Sequence, residues 1–284
     1  SFLLKGTKTA MHHDQIELIP LFSGSSGNCI LVRAGSTCVL VDAGVSARSV
    51  TTALTAAGYD IGQIQGILVT HEHADHIKGI PMLAKKYGTP VYASAGTWRA
   101  MHGKFRDCPH FSPFTLPGGS FYIGSLCIEP FALSHDAAEP TGYAFFSGGE
   151  KASIATDTGY LSRGLIRALE GSKSILLESN HDPEMLQTGP YPYVLKQRVA
   201  SRKGHLSNED CARALVHLAN TGTEKAILAH LSRQNNDPAL AHRVSFDALA
   251  QEGLDMERDF SLSVAAPAMF EKEKKAEPLV SLLI

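Results

Sequence analysis

Cysteine is scarce in this chain, and what is present does not pair in sequence. Cys29, Cys38, Cys108, Cys127 and Cys211 are odd in number and include no C-x-x-C pair. That argues against a disulfide frame and suits reduced thiols acting as small buried hydrophobes. Long apolar runs are also missing: none approaches the roughly 20 residues of a membrane span. The opening segment 1–13 holds no signal-peptide core, so the chain is expected in the cytoplasm without a membrane partner. Charge of one sign is lacking too. With 26 basic and 28 acidic residues the net charge is −2, which excludes nucleic-acid binding by overall charge. An anionic partner must be held by a local patch or by cations. No repeat of about 20–50 residues is visible, and no linker divides the chain. The 284 residues are therefore read as a single domain, 1–284, with 1–14 and 268–284 as tails. A chain of that length buries enough surface to need no covalent staples.

What is present is alternation. Apolar or alternating β-prone runs at 15–22, 29–33, 37–41 and 64–70 read as strands, the first three joined by Gly/Ser turns as an antiparallel meander. Helices are expected at 46–57, closed by Gly58, and at 75–87, closed by Gly88, with Pro81 bending or breaking the second. A strand at 90–93 leads into a long loop, 101–119, rich in Gly, Pro, His and Phe. Further strands are expected at 121–133, 142–147, 152–155, 174–178, 225–229 and 260–264, with helices at 162–169, 208–220 and 238–250. Two strand-rich halves, each followed by helices, predict an α/β fold. Its form is a four-layer αββα sandwich, two sheets face to face with helices outside.

The chemistry begins where the strand at 64–70 ends, in His71-Glu72-His73-Ala74-Asp75-His76. At i and i+2 of an extended segment, His71 and His73 point the same way and can share a cation. Asp75 and His76 then open a helix, aimed at a second site beside the first. Imidazole and carboxylate together suit zinc, with manganese as an alternative. A chance H-x-H-x-D-H is expected in only about one such chain in a thousand. Four ligands cannot complete two sites, and three further residues end or follow strands: His135, Asp157 and His230. Strand ends of a sandwich converge on one rim.

This succession, the run 71–76 and then His135, Asp157 and His230, resembles the motif pattern of the metallo-β-lactamase superfamily. The resemblance implies a metallo-β-lactamase sandwich holding two divalent cations. His71, His73 and His135 would hold one, Asp75, His76 and His230 the other, and Asp157 would bridge them. Such a pair yields a metal-bound hydroxide, which serves β-lactams, thioesters and phosphodiesters alike, so other residues must choose the reaction.

Three features favour phosphodiesters. Ser23-Gly24-Ser25-Ser26-Gly27-Asn28 is a hydroxyl- and Gly-rich turn that could take a phosphate oxygen through Ser25, Ser26 and Asn28. Its other reading is a flexible hairpin turn. Lys203-Gly204-His205-Leu206-Ser207 places His205 before a helix, where it could protonate a leaving alkoxide. Lys196, Arg198, Arg202 and Lys203 form a basic cluster that could follow a nucleic-acid backbone or be a solvated helix face. Asp75 and His205 are the expected catalytic residues, and Arg198, Lys203 and His181 join the turn as expected substrate contacts. Glu178, at a strand end, could orient a ligand histidine. Trp98 and the Phe residues of the loop 105–121 could stack on bases, with core filling as the alternative.

The pairing of Gly204-His205-Leu206-Ser207 with Ala229-His230-Leu231-Ser232 is similar to the paired histidine motifs of tRNA 3′-processing endonucleases. The turn 23–28, Glu178-Ser179-Asn180-His181-Asp182 and Gly189-Pro190-Tyr191-Pro192 resemble more specifically the YycJ/WalJ-type exonucleases of the superfamily. That resemblance implies a 5′-to-3′ DNA exonuclease. A small-molecule hydrolase (a cyclic phosphodiesterase or a glyoxalase II-like thioesterase) and a metal-stabilised DNA-binding protein remain as alternatives.

Overall fold

Most interior strands of this chain bury both faces, and that double burial sets the architecture. The computed structural model describes residues 15–266 apart from 106–107, 109–110 and 257. The expected tails, His12 and His13 with them, and His110 lie outside the described residues. The first half runs β1 (Ile16–Phe22), β2 (Cys29–Ala34), β3 (Thr37–Val41), α1 (Ala47–Ala56), β4 (Ile64–Leu68), α2 (Ala74–Ile77), α3 (Ile80–Tyr87), β5 (Val91–Ala93), α4 (Ala95–Ala100) and β6 (Pro113–Thr115). The second runs β7 (Phe121–Ile123), β8 (Leu126–Ala132), β9 (Thr141–Ser147), β10 (Glu150–Ala155), α5 (Arg163–Leu169), β11 (Ser174–Glu178), α6 (Pro183–Thr188), α7 (Tyr193–Val199), α8 (Asn208–Ala219), β12 (Lys225–Ala229), α9 (Pro238–Gln251) and β13 (Ser261–Val264).

Strands β1 to β6 form one sheet in sequential order, antiparallel up to β3 and parallel from β3 onward. Strands β7 to β13 form the other, antiparallel up to β10 and parallel from β10 to β13. Period-2 alternation sorts side chains between layers. On β3, Val39 and Val41 enter the inter-sheet core, while Cys38 and Leu40 face the helical layer of α1 and α3. On β11, Leu176 meets the inter-sheet core, while Ile175 and Leu177 pack beneath α5, α8 and α9. Each such buried aliphatic side chain contributes about 1.5–3 kcal/mol. The expected helix–sheet–sheet–helix layering is what forms, with all five cysteines unpaired.

The departures are local and have physical causes. The helix expected at 75–87 is two helices, because the Gly79 amide donates to Ala43 O (2.8 Å) across the fold. Pro81 then sits in the first turn of α3, where its missing N–H costs nothing. The strand expected at 121–133 is a hairpin, turned at Gly124 with φ +55°. The loop 101–119 contains β6, a short exposed edge strand parallel to β5. Helices α6 and α7 escaped the sequence because Gly189, Pro190 and Pro192 interrupt any readable period.

One close approach ties the fold to the site. A Cβ on Gly44 would stand 1.5 Å from Asp75 O, a backbone atom that cannot yield while α2 stays in place. Gly44→Ala is expected to cost roughly 1–3 kcal/mol or more, read as a lowered thermal midpoint together with reduced metal retention.

Candidate metal centre

The parallel strands β3, β4, β10, β11 and β12, and β8, all deliver a site residue at or just beyond their C-terminal ends. These are Asp42, His71, Asp157, Glu178, His230 and His135. Asp42, Asp157 and His230 are the only non-glycine residues with positive φ among the described residues, at +61°, +57° and +56°. Left-handed backbone is costly for such residues and clusters where function demands a particular aim. Here it turns each chain sharply off its strand so that the side chain meets the rim.

The seven residues nominated by sequence come together. Donor atoms of His71, His73 and His135 lie within 4.8 Å of one another, and so do those of Asp75, His76 and His230. Asp157 stands between the two groups: Oδ2 is 3.0 Å from His76 Nε2 and Oδ1 is 3.8 Å from His135 Nε2. Asp75 Oδ2 lies 3.6 Å from His76 Nε2 and 3.9 Å from His230 Nε2.

Behind the donors, a second set of partners fixes which nitrogen faces inward. His76 Nδ1 donates to Asp42 Oδ2 (2.8 Å), His71 Nδ1 to Thr70 Oγ1 (3.0 Å) and His135 Nδ1 to Gly204 O (3.1 Å). His230 Nδ1 donates to Glu178 Oε1 at 2.8 Å. In all four rings Nε2 points to the centre, the arrangement that orients metal-binding imidazoles; there His76 Nε2 meets Asn28 Nδ2 (3.1 Å) and His71 Nε2 meets His73 Nδ1 (2.9 Å). Asp42 was not singled out by sequence. Its signal was a lone acid closing an otherwise apolar strand.

The electrostatics fit cations. Burial, with the neighbouring His76, drives His71 well below its ordinary value, and burial also lowers His135. Both are thereby kept as neutral ligands. Burial opposes charge on His76 and His230, but Asp157, helped by Asp42 at His76 and by Asp75 and Glu178 at His230, outweighs it. His76 rises well above its ordinary value and His230 is pushed up to about 10. The acids around these two rings thus favour positive charge at the centre. His230 Nε2 is buried without a hydrogen-bond partner, a costly state that a coordinated cation removes. The residues present fit two divalent cations.

Glu178 serves two rings at once. Its fully buried carboxylate accepts from His230 and, through the same Oε1, from His205 Nδ1 at 2.8 Å. The Thr158 and Leu206 amides donate to Oε2 at 2.8 and 3.3 Å. Burial alone would raise this acid, but His205 and His230 hold it down to about 2. His205 is itself raised, Glu178 prevailing over burial.

A cleft of about 240 Å³ opens onto these groups, lined by His73, Asp75, His135, Asp157, His205 and His230, and rimmed by Ser25, Tyr191, Leu195 and Arg198. A larger hollow of about 750 Å³ lies elsewhere, along β1, β12 and β13, and contains none of the metal-site residues. Of the expected substrate contacts, Ser25 and Arg198 reach the cleft, and Arg198 is paired there with Asp136 through Nε and Nη2. The others lie outside its lining. Asn28 is buried, accepts from the Gly24 amide, pins the turn to α2 through its backbone amide to Asp75 O (2.8 Å), and turns its side-chain amide to His76 Nε2 (3.1 Å). His181 is buried outside the lining, bridged to Ser207. Ser26 and Lys203 are exposed beyond the lining, Ser26 accepting from Arg233. The start of α8 is not an anion seat either, since Ser207 caps it and its first turn carries Glu209 and Asp210. Trp98 packs against Phe105 and Phe111 at 5.6 and 5.5 Å over the first helical core, which removes them from base stacking.

Comparison with known proteins agrees with this geometry. Residues 37–231 match the model of the beta-lactamase superfamily domain. The chain is 40% identical over 250 residues to exodeoxyribonuclease YycJ of Bacillus anthracis, covering 88% of this chain and 95% of that protein. It is 40% identical to exodeoxyribonuclease WalJ of Streptococcus pneumoniae, covering 87% and 93%. In structure it resembles the metallo-beta-lactamase fold protein YhfI from Bacillus subtilis, with a TM-score of 0.67 at 18% identity, covering 90% and 98%. No helix among the described residues is long and apolar enough to cross a membrane. The chain belongs to the beta-lactamase superfamily and, within it, to the family that includes the YycJ and WalJ exodeoxyribonucleases.

Proposed function

We propose that this hydrolase is a DNA exonuclease that removes nucleotides from the 5′ end with two divalent cations, zinc or alternatively manganese. His71, His73 and His135 would hold one cation and Asp75, His76 and His230 the other, with Asp157 between the two groups. Together the cations supply a nucleophile from water at neutral pH and positive charge for the phosphoryl oxygens. The observation that carries the reading is His205, held by Glu178 at the cleft beside both ligand groups. An alkoxide leaving from phosphorus needs a proton, whereas a thiolate is stable enough to depart alone. A positioned acid is therefore of most use to a phosphodiesterase. Ser25 and Arg198 at the rim are placed for the phosphate, and Asp75, on the lip of the cleft, completes the catalytic group.

The size of the cleft agrees. At about 240 Å³ it is smaller than ordinary small-molecule pockets of roughly 300–1,000 Å³. It accommodates a scissile phosphate and leaves the rest of a chain outside. The 5′-to-3′ direction and the choice of DNA rest on the likeness to the YycJ and WalJ relatives.

The test is a cleavage assay of metal-loaded protein on end-labelled single- and double-stranded DNA beside cyclic and nucleotide diesters. Shortening from the 5′ end is expected, abolished by chelator and restored by added metal. DNA left intact while small diesters are cut would make this a small-molecule hydrolase. DNA bound but never cut would make it a binding protein.

A further inference from the structure

Beside the cleft lies a surface that the metal chemistry does not use. Val194 and Tyr193, on the first turn of α7, are 79% and 75% exposed, the two most exposed large hydrophobic side chains among the described residues. Tyr191, two residues earlier, lines the cleft itself, as do Leu195 and Arg198 further along α7. Tyr160, three residues beyond Asp157, is 40% exposed, with the Arg202 guanidinium 3.8 Å from its ring centroid. Of these rings Tyr191 stands in the wall of the cleft beside the reacting centre, and Tyr193 follows it by two residues.

We propose that Tyr191, Tyr193 and Val194, with the Tyr160–Arg202 stack, form a ledge on which the unpaired bases of a single-stranded DNA end lie as its phosphate enters the cleft. The proposal rests on the nuclease reading and adds to it the form of DNA preferred.

Three observations select this occupant. The chemistry is mixed: the rings share this region with Arg198, paired with Asp136, and with Arg202, lying on Tyr160, the combination of ring faces and guanidinium groups that suits a ligand of bases and phosphates. The geometry is stiff. Tyr191 stands between Pro190 and Pro192, which restrict its backbone, so little freedom is lost when a base settles on it. The position is continuous with the site, since α7 supplies both the exposed turn and part of the cleft wall. Paired bases keep their faces stacked inside the duplex and offer none to such a ledge. An unpaired end offers one face per nucleotide.

The test separates bases from phosphates. Metal-loaded wild type, a Tyr191→Ala/Tyr193→Ala double variant and a Tyr191→Phe/Tyr193→Phe double variant are given a short single-stranded dT oligonucleotide and an abasic oligonucleotide of the same length. Stacking makes the wild-type KM lower for dT than for the abasic strand, by about 5-fold or more. The alanine variant should lose that preference, with both KM values nearly equal, and the phenylalanine variant should keep it. A thermal melt of each variant reports whether the fold is intact. Wild type that cuts both strands with equal KM, or an alanine variant that retains the preference, overturns the ledge and leaves the nuclease reading standing. Phenylalanine failing to preserve the preference would assign the contact to the hydroxyls and overturn stacking. Wild type that neither binds nor cuts DNA overturns the nuclease reading and the ledge with it.

Discussion

Glu178→Gln is expected to lower turnover on a DNA end by about 10³-fold or more, combining loss of an oriented acid with weakened metal binding. The argument is one of hydrogen-bond counting. Glu178 accepts from two imidazoles on one oxygen and from two amides on the other. An amide side chain keeps the shape but has a single acceptor oxygen, so one side is always left facing a donor. If its NH₂ faces the histidines, His230 loses its tether and His205 its charge partner. If it faces the amides, the Thr158 and Leu206 N–H groups are buried unpaired. Metal affinity should fall about 10–100-fold, as for other outer partners of ligand histidines. Equilibrium dialysis of the loaded protein measures this, beside turnover at saturating metal. Adding His205→Ala to Glu178→Gln should cost little more, because the two act as a unit.

His205→Ala alone is expected to lower turnover about 100-fold or more with both cations retained. His205 lies in the cleft, bonded through Nδ1 to Glu178; its donor atom also comes within 4.8 Å of those of Asp157, Glu178 and His230, but it stands outside the two triads assigned above. Its protonated form is the useful one. Glu178 raises its value above that of an ordinary imidazole, which favours the protonated form. As pH rises through that raised value the acid is lost and turnover falls. The alanine variant should therefore lack the alkaline limb of the kcat profile. Near-wild-type turnover, or an unchanged alkaline limb, removes His205 from proton transfer.

Much of this was legible in the sequence where burial leaves a period. The strands Thr37–Val41, Ser174–Glu178 and Lys225–Ala229 could be bounded to the residue, since each is an apolar run ended by a polar one. The donors His71 to His76, with His135, Asp157 and His230, could be nominated because metal chemistry restricts residue types and strand ends restrict places. What escaped depends on partners distant in sequence. That Asn28 holds α2 and meets His76, and that Trp98 packs against a core, are decided by their distant partners. No local pattern carries that. Helix α7 escaped for another reason. Its seven residues follow two prolines and owe their helix to tertiary contacts.

The cations themselves remain the most direct measurement. Elemental analysis of the loaded chain, with X-ray absorption at the metal edge, should find two cations per chain about 3.5–4 Å apart in nitrogen and oxygen shells. A single equivalent, or two equivalents with no metal–metal neighbour at that distance, would contradict the shared rim on which every residue role above depends.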